Sequence, residues 1–186
     1  MSQLVGFKVV LIGDGRVGKT SIRRTFMGKH FVKPHLMTLG ADFSSQNLDL
    51  TLNNITYEIK FSIWDIAGQD QFKTLRHRFY ANANALLLVY DVTEKTSFDN
   101  LLKWLYEAWE VTSDTTIPFL LIGNKLDLNE SRVIQKNTAI NFLEALKKKY
   151  PKIQYCDYIE TSALTGENIN TMFKKIGEQL INRMKL

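Results

Sequence analysis

The chain has 186 residues, 45% hydrophobic and 23% charged, which predicts a single globular domain over 1–186 with a substantial core. It has no apolar run of the roughly 18 residues that a membrane span needs, and its N-terminus is too short and polar for a signal peptide. The net charge is +5, but the basic residues are scattered along the sequence, which favours an ordinary solvated surface over nucleic-acid binding. A single cysteine, Cys156, excludes an internal disulfide and suits a cytoplasmic protein.

The hydrophobic pattern changes along the chain from a hairpin to alternating strands and helices. An apolar run over 7–12 predicts a buried strand, followed by a glycine-rich turn and a helix over 19–27. Apolar and polar residues alternate on both sides of Asn53-Asn54, which predicts a hairpin with one buried face. The later elements are predicted as strands over 85–90, 119–122 and 155–160 and helices over 97–112, 138–149 and 169–184.

This order of elements indicates an α/β fold, in which a mostly parallel sheet carries helices on both faces. In such sheets ligands bind at the carboxyl ends of the strands. Polar residues that directly follow a predicted strand are therefore candidates for a functional site. The sequence has four groups of them.

The first group follows the strand over 7–12 and matches G-x-x-x-x-G-K-[ST], a pattern that wraps backbone N–H groups around a polyphosphate. Lys19 is expected to neutralise the β- and γ-phosphates, and Thr20 to place its hydroxyl on Mg²⁺, which prefers oxygen ligands. The alternative is a glycine-rich turn with a solvated lysine, which the flanking strand and helix disfavour. The predicted phosphate-binding residues are Gly13, Asp14, Gly15, Arg16, Val17, Gly18, Lys19, Thr20 and Ser21.

The second group follows the hairpin and contains Asp65, Gly68 and Gln69. Asp65 can hold a magnesium-bound water, Gly68 can offer its N–H to a γ-phosphate, and Gln69 can orient an attacking water. Each has an ordinary alternative, a helix cap for Asp65 and a loop surface for Gln69.

The third group is Asn124-Lys125-Leu126-Asp127. Asp127 can accept hydrogen bonds from the N1–H and the exocyclic amine of guanine, a pair of donors that adenine lacks. Asn124 can brace the surrounding loops, and the aliphatic stem of Lys125 can cover a face of the base.

The fourth group, 160–164, ends the last predicted strand. Ser162 can orient Asp127, and the N–H of Ala163 can meet the guanine carbonyl; a plain turn into the final helix is the alternative. Polar turns after strands are common, so each group alone is weak evidence. Four groups in this order, each at a strand end, predict a guanine-nucleotide site.

These motifs resemble those of the Ras-superfamily small GTPases, most closely the Rab branch, over nearly the whole chain. The stretches that carry the resemblance are 13–20, 38–43, 64–70, 124–127 and 160–163. The resemblance implies a P-loop NTPase G domain with a six-stranded sheet, one strand antiparallel, and five flanking helices. It also implies binding of GTP or GDP with Mg²⁺ and slow GTP hydrolysis, on the order of 10⁻⁴ per second without an activating protein.

The resemblance further implies roles for individual residues. Thr38 would reach Mg²⁺ and the γ-phosphate only in the GTP state, and Gln69 would position the hydrolytic water, assisted by Lys19 and Gly68. Phe31 would pack against the guanine edge.

Switch I is expected at about 31–43 and switch II at about 65–80, and both would report the nucleotide state to partners. Phe43, Trp64 and Phe79 resemble the aromatic triad with which Rab proteins meet effectors, although ordinary packing under the hairpin is the alternative. An exchange factor, a GTPase-activating protein and effectors are the implied partners, and nucleic acid is not expected.

Several residues depart from the family pattern. Arg16 stands where a small residue is usual, and it either touches a phosphate or a partner or points to solvent, the favoured reading. Leu164 replaces a lysine that is frequent in Rab and Ras relatives, and its apolar side chain can still cover the base. Arg76 and Arg78 are the nearest candidates for an arginine acting on the γ-phosphate, with a solvated helix face favoured for both.

The sequence ends at Leu186 without a C-terminal cysteine, so no prenylation signal is seen. Either the sequence is truncated or the protein works without a lipid anchor, and peripheral membrane association stays open. Two rival functions are a GTP-loaded scaffold without turnover and a P-loop kinase that uses ATP. Gln69 and Thr38 argue against the scaffold, and Asp127 argues against the kinase.

Overall fold

The computed structural model describes residues 2–29, 38, 40–68, 73–112, 114, 116–153 and 155–184, which form one six-stranded sheet with six α-helices. The strands are β1 (Ser2–Ile12), β2 (Ala41–Leu52), β3 (Ile55–Ile66), β4 (Ala85–Asp91), β5 (Phe119–Asn124) and β6 (Cys156–Thr161). The helices are α1 (Lys19–Phe26), α2 (Lys73–Tyr80), α3 (Lys95–Asp99), α4 (Leu101–Thr112), α5 (Lys136–Lys149) and α6 (Ile169–Met184). Within these ranges no helix is long and apolar enough to cross a membrane.

The strand order is β2-β3-β1-β4-β5-β6, and β2 alone runs antiparallel to its neighbour. The predicted fold class is therefore confirmed. The described residues form six α-helices where five were expected, because the helix predicted over 97–112 is divided at Asn100. β1 begins at Ser2 rather than at residue 7, since the long β3 offers pairing partners from Thr56 onward.

Consecutive residues of the central strands face opposite sides of the sheet. Val9 and Leu11 pack with α1 and α6, whereas Val10 and Ile12 pack with the helices of the other face. A strand buried on both faces needs apolar side chains at every position, which explains its unbroken hydrophobic sequence. The hairpin turn is also as predicted, because Asn53 and Asn54 both take positive φ angles, 50° and 62°.

α2 is fastened to α4 by a buried ion pair. Arg76 is fully buried, and its Nε and Nη2 donate to the two carboxylate oxygens of Glu107 at 2.7 and 2.9 Å. The Tyr80 hydroxyl donates to the same carboxylate at 2.9 Å, and the guanidinium lies 4.6 Å from the ring centre of Trp104. The expectation of a solvated helix face was wrong for Arg76, because α4 supplies a buried acid to pair with it; Arg78 is exposed.

The carboxylate of Glu107 is held in its charged form. Burial alone would raise the pKa of Glu107, but the hydrogen bonds and charge of Arg76, with a hydrogen bond from Tyr80, bring it below its ordinary value. Both partners are therefore charged at neutral pH, and removing either one would leave a buried, unpaired charge that destabilises the fold.

Removing one partner of this pair should destabilise the protein strongly. We expect Glu107→Ala to lower the free energy of unfolding by about 3–5 kcal/mol, because it leaves the Arg76 charge buried and unpaired. Urea unfolding measures the loss. The matched control is the double variant Arg76→Met/Glu107→Leu, which removes both charges and should recover most of the stability. A loss of under about 1 kcal/mol in Glu107→Ala, the size of a surface ion pair, would contradict this account.

Candidate functional site

The four polar groups lie together at one edge of the sheet. β1, β3, β4, β5 and β6 are mutually parallel, so their carboxyl ends share that edge. Hydrogen bonds then join the groups directly: Asn124 to Val17, Thr20 to Asp65, and Ser162 to Asp127.

The loop between β1 and α1 forms a cradle around the Lys19 side chain. Lys19 is buried, and its Nζ donates to the carbonyl oxygens of Gly13 and Asp14 at 2.7 and 2.6 Å. Gly18, just before α1, has a φ of 102°, and a Cβ there would lie 2.2 Å from the Asn124 amide nitrogen. Only glycine fits at that position. Arg16 is exposed, in a left-handed conformation with φ 68°.

The surroundings of the Lys19 ammonium change its pKa. Burial lowers the pKa of Lys19 to about 8, the charges of Asp65 and Asp14 oppose that shift, and Arg76 adds to it. A buried cation without a full counter-charge favours an anionic ligand beside it.

Three side-chain oxygens converge next to this lysine. The Thr20 hydroxyl donates to Asp65 Oδ2 at 2.5 Å, and the Thr38 hydroxyl lies 2.9 Å from that of Thr20. Asp65 is fully buried, and its Oδ1 has no hydrogen-bond partner among the described residues. Burial raises the pKa of Asp65, although the Thr20 hydrogen bond and the charges of Lys19 and Arg23 oppose the shift. An unsatisfied carboxylate oxygen among hydroxyls fits a hard cation such as Mg²⁺.

Gly68 packs directly on the loop between β1 and α1. A Cβ on Gly68 would lie 2.5 Å from the Asp14 carbonyl carbon and from the Gly15 nitrogen, so a larger residue would push the two loops apart. This contact places the Gly68 backbone beside the cradle. Phe31 and Gln69 lie outside the described residues.

Asn124 connects the third group with the first and the fourth. Its amide nitrogen donates to the Val17 carbonyl at 2.8 Å, and its oxygen accepts from the Thr161 hydroxyl at 3.1 Å and the Ala163 N–H at 3.2 Å. The Ala163 carbonyl in turn accepts a 2.8 Å hydrogen bond from Thr25 of α1. One buried carboxamide thus fixes the relative position of three loops.

The Asp127 carboxylate is exposed but oriented. Ser162, which is buried, donates its hydroxyl to Asp127 Oδ1, and the Thr165 N–H holds the Ser162 oxygen at 3.1 Å. An exposed carboxylate oriented in this way can accept hydrogen bonds from a ligand with two donors. Leu164 follows this turn with 47% of its surface exposed, so it can cover a planar group.

Sequence reasoning missed three residues that support the site. Asp91 ends β4 and forms an ion pair with Lys125 Nζ at 2.5 Å, which holds that side chain across the edge. Asn100 and the Trp104 ring nitrogen donate to the two carboxylate oxygens of Asp14 at 2.7 and 2.6 Å. Asp91 carried the signal used for the other groups, a polar residue at a strand end, whereas nothing local marks Asn100 or Trp104.

The three predicted effector aromatics form a continuous row on β2, β3 and α2. The ring centres of Phe43 and Trp64 are 5.2 Å apart, as are those of Trp64 and Phe79. Phe43 is 52% exposed, while Trp64 and Phe79 are partly buried against the core. The row is thus both a packing element and a partly accessible apolar surface.

Comparison with known proteins identifies the family of this chain. The sequence pattern of the Ras family matches residues 8–182. Ras-related protein Rab-26 from Mus musculus is 38% identical over 180 residues, which cover 96% of this chain and 64% of the relative. The GTP-binding protein YPT52 from Saccharomyces cerevisiae is 37% identical, over 98% of this chain and 85% of the relative. RABD2a, a Ras-related protein from Arabidopsis thaliana, is 35% identical, over 96% and 81%.

The fold and the loop before α1 define a P-loop NTPase domain. The chain belongs to the Ras family of small GTPases, and its relatives put it in the Rab branch. It spans less than two thirds of the length of its Rab-26 relatives.

The shifted pKa of Lys19 predicts a pH-dependent stability of the nucleotide-free protein. The pKa is about 8 in the folded chain against 10.5 for an ordinary lysine, so between these values the unfolded chain keeps a proton that the folded chain has lost. The free energy of unfolding contributed by Lys19 should therefore rise with pH across this window, by up to about 3 kcal/mol.

Urea unfolding on both sides of this window measures the effect as the stability of the wild type minus that of Lys19→Met. The matched control is Lys60→Met, at an exposed lysine of β3. The difference should grow with pH for Lys19→Met and stay constant for the control. A constant difference for both would show that Lys19 is not perturbed by burial.

Proposed function

We propose that this protein is a guanine-nucleotide switch that binds GTP and GDP with Mg²⁺ and hydrolyses GTP slowly. The observation that carries the proposal is the joint geometry of the Lys19 cradle and the oriented Asp127 at one sheet edge, braced by Asn124. A phosphate site and a base site fixed to each other in this way suit a purine nucleotide laid across the edge. In this proposal residues 1–186 act as one nucleotide-binding domain.

Guanine selection would come from Asp127. The Ser162 hydroxyl occupies one carboxylate oxygen and fixes the plane of the group, so the carboxylate can accept from the N1–H and the exocyclic amine of guanine. The Ala163 N–H donates to Asn124 at 3.2 Å in this structure, and in the proposal it turns to the guanine carbonyl when the base binds. Leu164 would complete the pocket, with Phe31 at the base edge and the Lys125 stem over its face. Adenine has no matching pair of donors and would leave the carboxylate unsatisfied.

Phosphate binding would come from the backbone N–H groups of the first loop and the Lys19 ammonium. Thr20, Thr38 and, through water, Asp65 would hold Mg²⁺, which supplies charge neutralisation at the β- and γ-phosphates. Gln69 would orient the attacking water and Gly68 would donate its N–H to the γ-phosphate. Catalysis of this kind rests on positioning and on fixed charges.

Switching would follow from the same contacts. Loss of the γ-phosphate removes the partners proposed for Thr38 and Gly68, so switch I (about 31–43) and switch II (about 65–80) lose their anchor. Exchange factors, GTPase-activating proteins and effectors would read that difference, the last through Phe43, Trp64 and Phe79. In keeping with its branch, we propose that the protein acts in Rab-like membrane trafficking or a related regulatory pathway, in the cytoplasm or peripherally on membranes.

Changing the proposed base-reading residue should change base preference. Asp127→Asn presents an amide donor, which should meet the C2 carbonyl of xanthine in place of the guanine amine. We expect GTP affinity to fall by at least about 100-fold and preference to move to xanthosine triphosphate. Titration with fluorescent nucleotides measures both affinities.

The matched control is Asp49→Asn, at an exposed carboxylate near the hairpin turn of β2, on the edge of the sheet opposite to the site. It should bind GTP as the wild type does. Unchanged GTP affinity in Asp127→Asn would remove Asp127 from the base site.

Hydrolysis separates the switch from a GTP-loaded scaffold. In single-turnover assays with Mg²⁺ we expect slow phosphate release from the wild type, and release at least about tenfold slower from Gln69→Leu, because the attacking water loses its orienting group. Gln135→Leu, at an exposed glutamine before α5, is the matched control and should retain the wild-type rate. Tight GTP binding with equal, negligible turnover in all three proteins would favour the scaffold.

A further inference from the structure

Arg23 lies beside the carboxylate that is proposed to hold magnesium. It is one turn beyond Thr20 in α1, and only 9% of its side chain is exposed. Its Nε is 3.8 Å from Asp65 Oδ2, and this nitrogen has no hydrogen-bond partner among the described residues. The other end of the guanidinium donates through Nη2 to Asp42 Oδ2 at the start of β2.

The two carboxylates share this one guanidinium unequally. Asp42 is 56% exposed and makes the hydrogen-bonded contact, whereas Asp65 is fully buried and makes only the longer one. Water therefore screens the charge of Asp42, while little screens the interaction of Arg23 with Asp65. The buried carboxylate thus has a permanent cation at its side before any metal arrives.

We propose that Arg23 sets the Mg²⁺ affinity of this protein by acting as a built-in competitor for the charge of Asp65. Beyond the proposed function, on which it rests, this assigns Arg23 a role as a positioning residue that tunes the metal. Without Mg²⁺, Arg23 compensates the buried Asp65 carboxylate; with Mg²⁺ present, the two cations repel each other across the same carboxylate. Both effects reduce the free-energy difference that favours the metal-bound form over the metal-free form. Mg²⁺ therefore binds more weakly, and nucleotide leaves more readily at a given Mg²⁺ concentration.

Asp42 weakens the effect of Arg23 on Asp65. Its hydrogen bond draws the guanidinium toward the exposed end of β2 and neutralises part of its charge. The sequence position of Asp42, at the end of switch I, connects the metal site with the segment that partners would read. A partner that took over the Asp42 carboxylate would return the full charge of Arg23 to Asp65.

The test is the release of a fluorescent GDP analogue from the loaded full chain over a series of buffered free Mg²⁺ concentrations. The readout is the midpoint, defined as the Mg²⁺ concentration at which the rate of release lies halfway between its values without Mg²⁺ and at saturating Mg²⁺. Arg23→Met keeps the length and apolar stem of the side chain and removes its charge, and we expect the midpoint to fall about tenfold. Arg23→Lys keeps the charge and should stay within about threefold of the wild type.

Two further variants separate this effect from net charge and from misfolding. Arg24→Met removes the same charge from the neighbouring position of α1 and should leave the midpoint unchanged. Asp42→Asn leaves Arg23 in place without the negative charge that partly neutralises it, and should raise the midpoint. The same change in the Arg23→Met background should shift the midpoint less. The Asp42→Asn arm does not require Arg23 to be replaced, so a poorly folded Arg23→Met still leaves the proposal testable.

The outcomes are distinguishable from a failure of the proposed function. A midpoint for Arg23→Met equal to or above that of the wild type, or equal shifts for Asp42→Asn in both backgrounds, would overturn the role of Arg23. GDP release from the wild type that does not respond to Mg²⁺ at all would instead contradict the proposed magnesium-dependent nucleotide site.

Discussion

The Asn124 carboxamide is the contact on which the arrangement of the site depends. It is buried at the end of β5, and it uses both its nitrogen and its oxygen to join the phosphate loop to the turn after β6. Gly18 leaves just enough room for it, since a Cβ there would collide with the amide nitrogen. Separate loops on separate strands thereby acquire one fixed geometry, which a nucleotide spanning phosphate and base subsites requires.

A second chain of contacts runs from the same loop to α2. Asp14 is held by Trp104, the Trp104 ring is covered by the Arg76 guanidinium, and Arg76 is paired with Glu107. The loop before α1 and helix α2 are therefore joined through α4, and the same loop also contacts Gly68 directly. Buried ionic contacts of this kind have few alternative arrangements, so they fix the position of α2 against α4.

The sequence was sufficient for the fold and for predicting that the four polar groups meet at one edge of the sheet, for identifiable physical reasons. Strands buried on both faces must be continuously apolar, as over 85–90, and a parallel sheet brings its strand ends together, so local patterns carried global information. The role of Arg76 could not be read in the same way. Its partner Glu107 lies 31 positions away, and helical spacing alone does not distinguish a solvated arginine from a buried one. The same holds for Arg23 of α1, because its proposed role depends on two carboxylates from strands, Asp42 of β2 and Asp65 of β3.

The most direct measurement of the central claim is the identity of the nucleotide that co-purifies with the folded protein, released by denaturation and resolved by ion-exchange chromatography. The account predicts a guanine nucleotide, mostly GDP, since it assigns base selection to Asp127 and slow removal of the γ-phosphate to GTP hydrolysis. Adenine nucleotide, or no bound nucleotide together with no GTP affinity on titration, would contradict it.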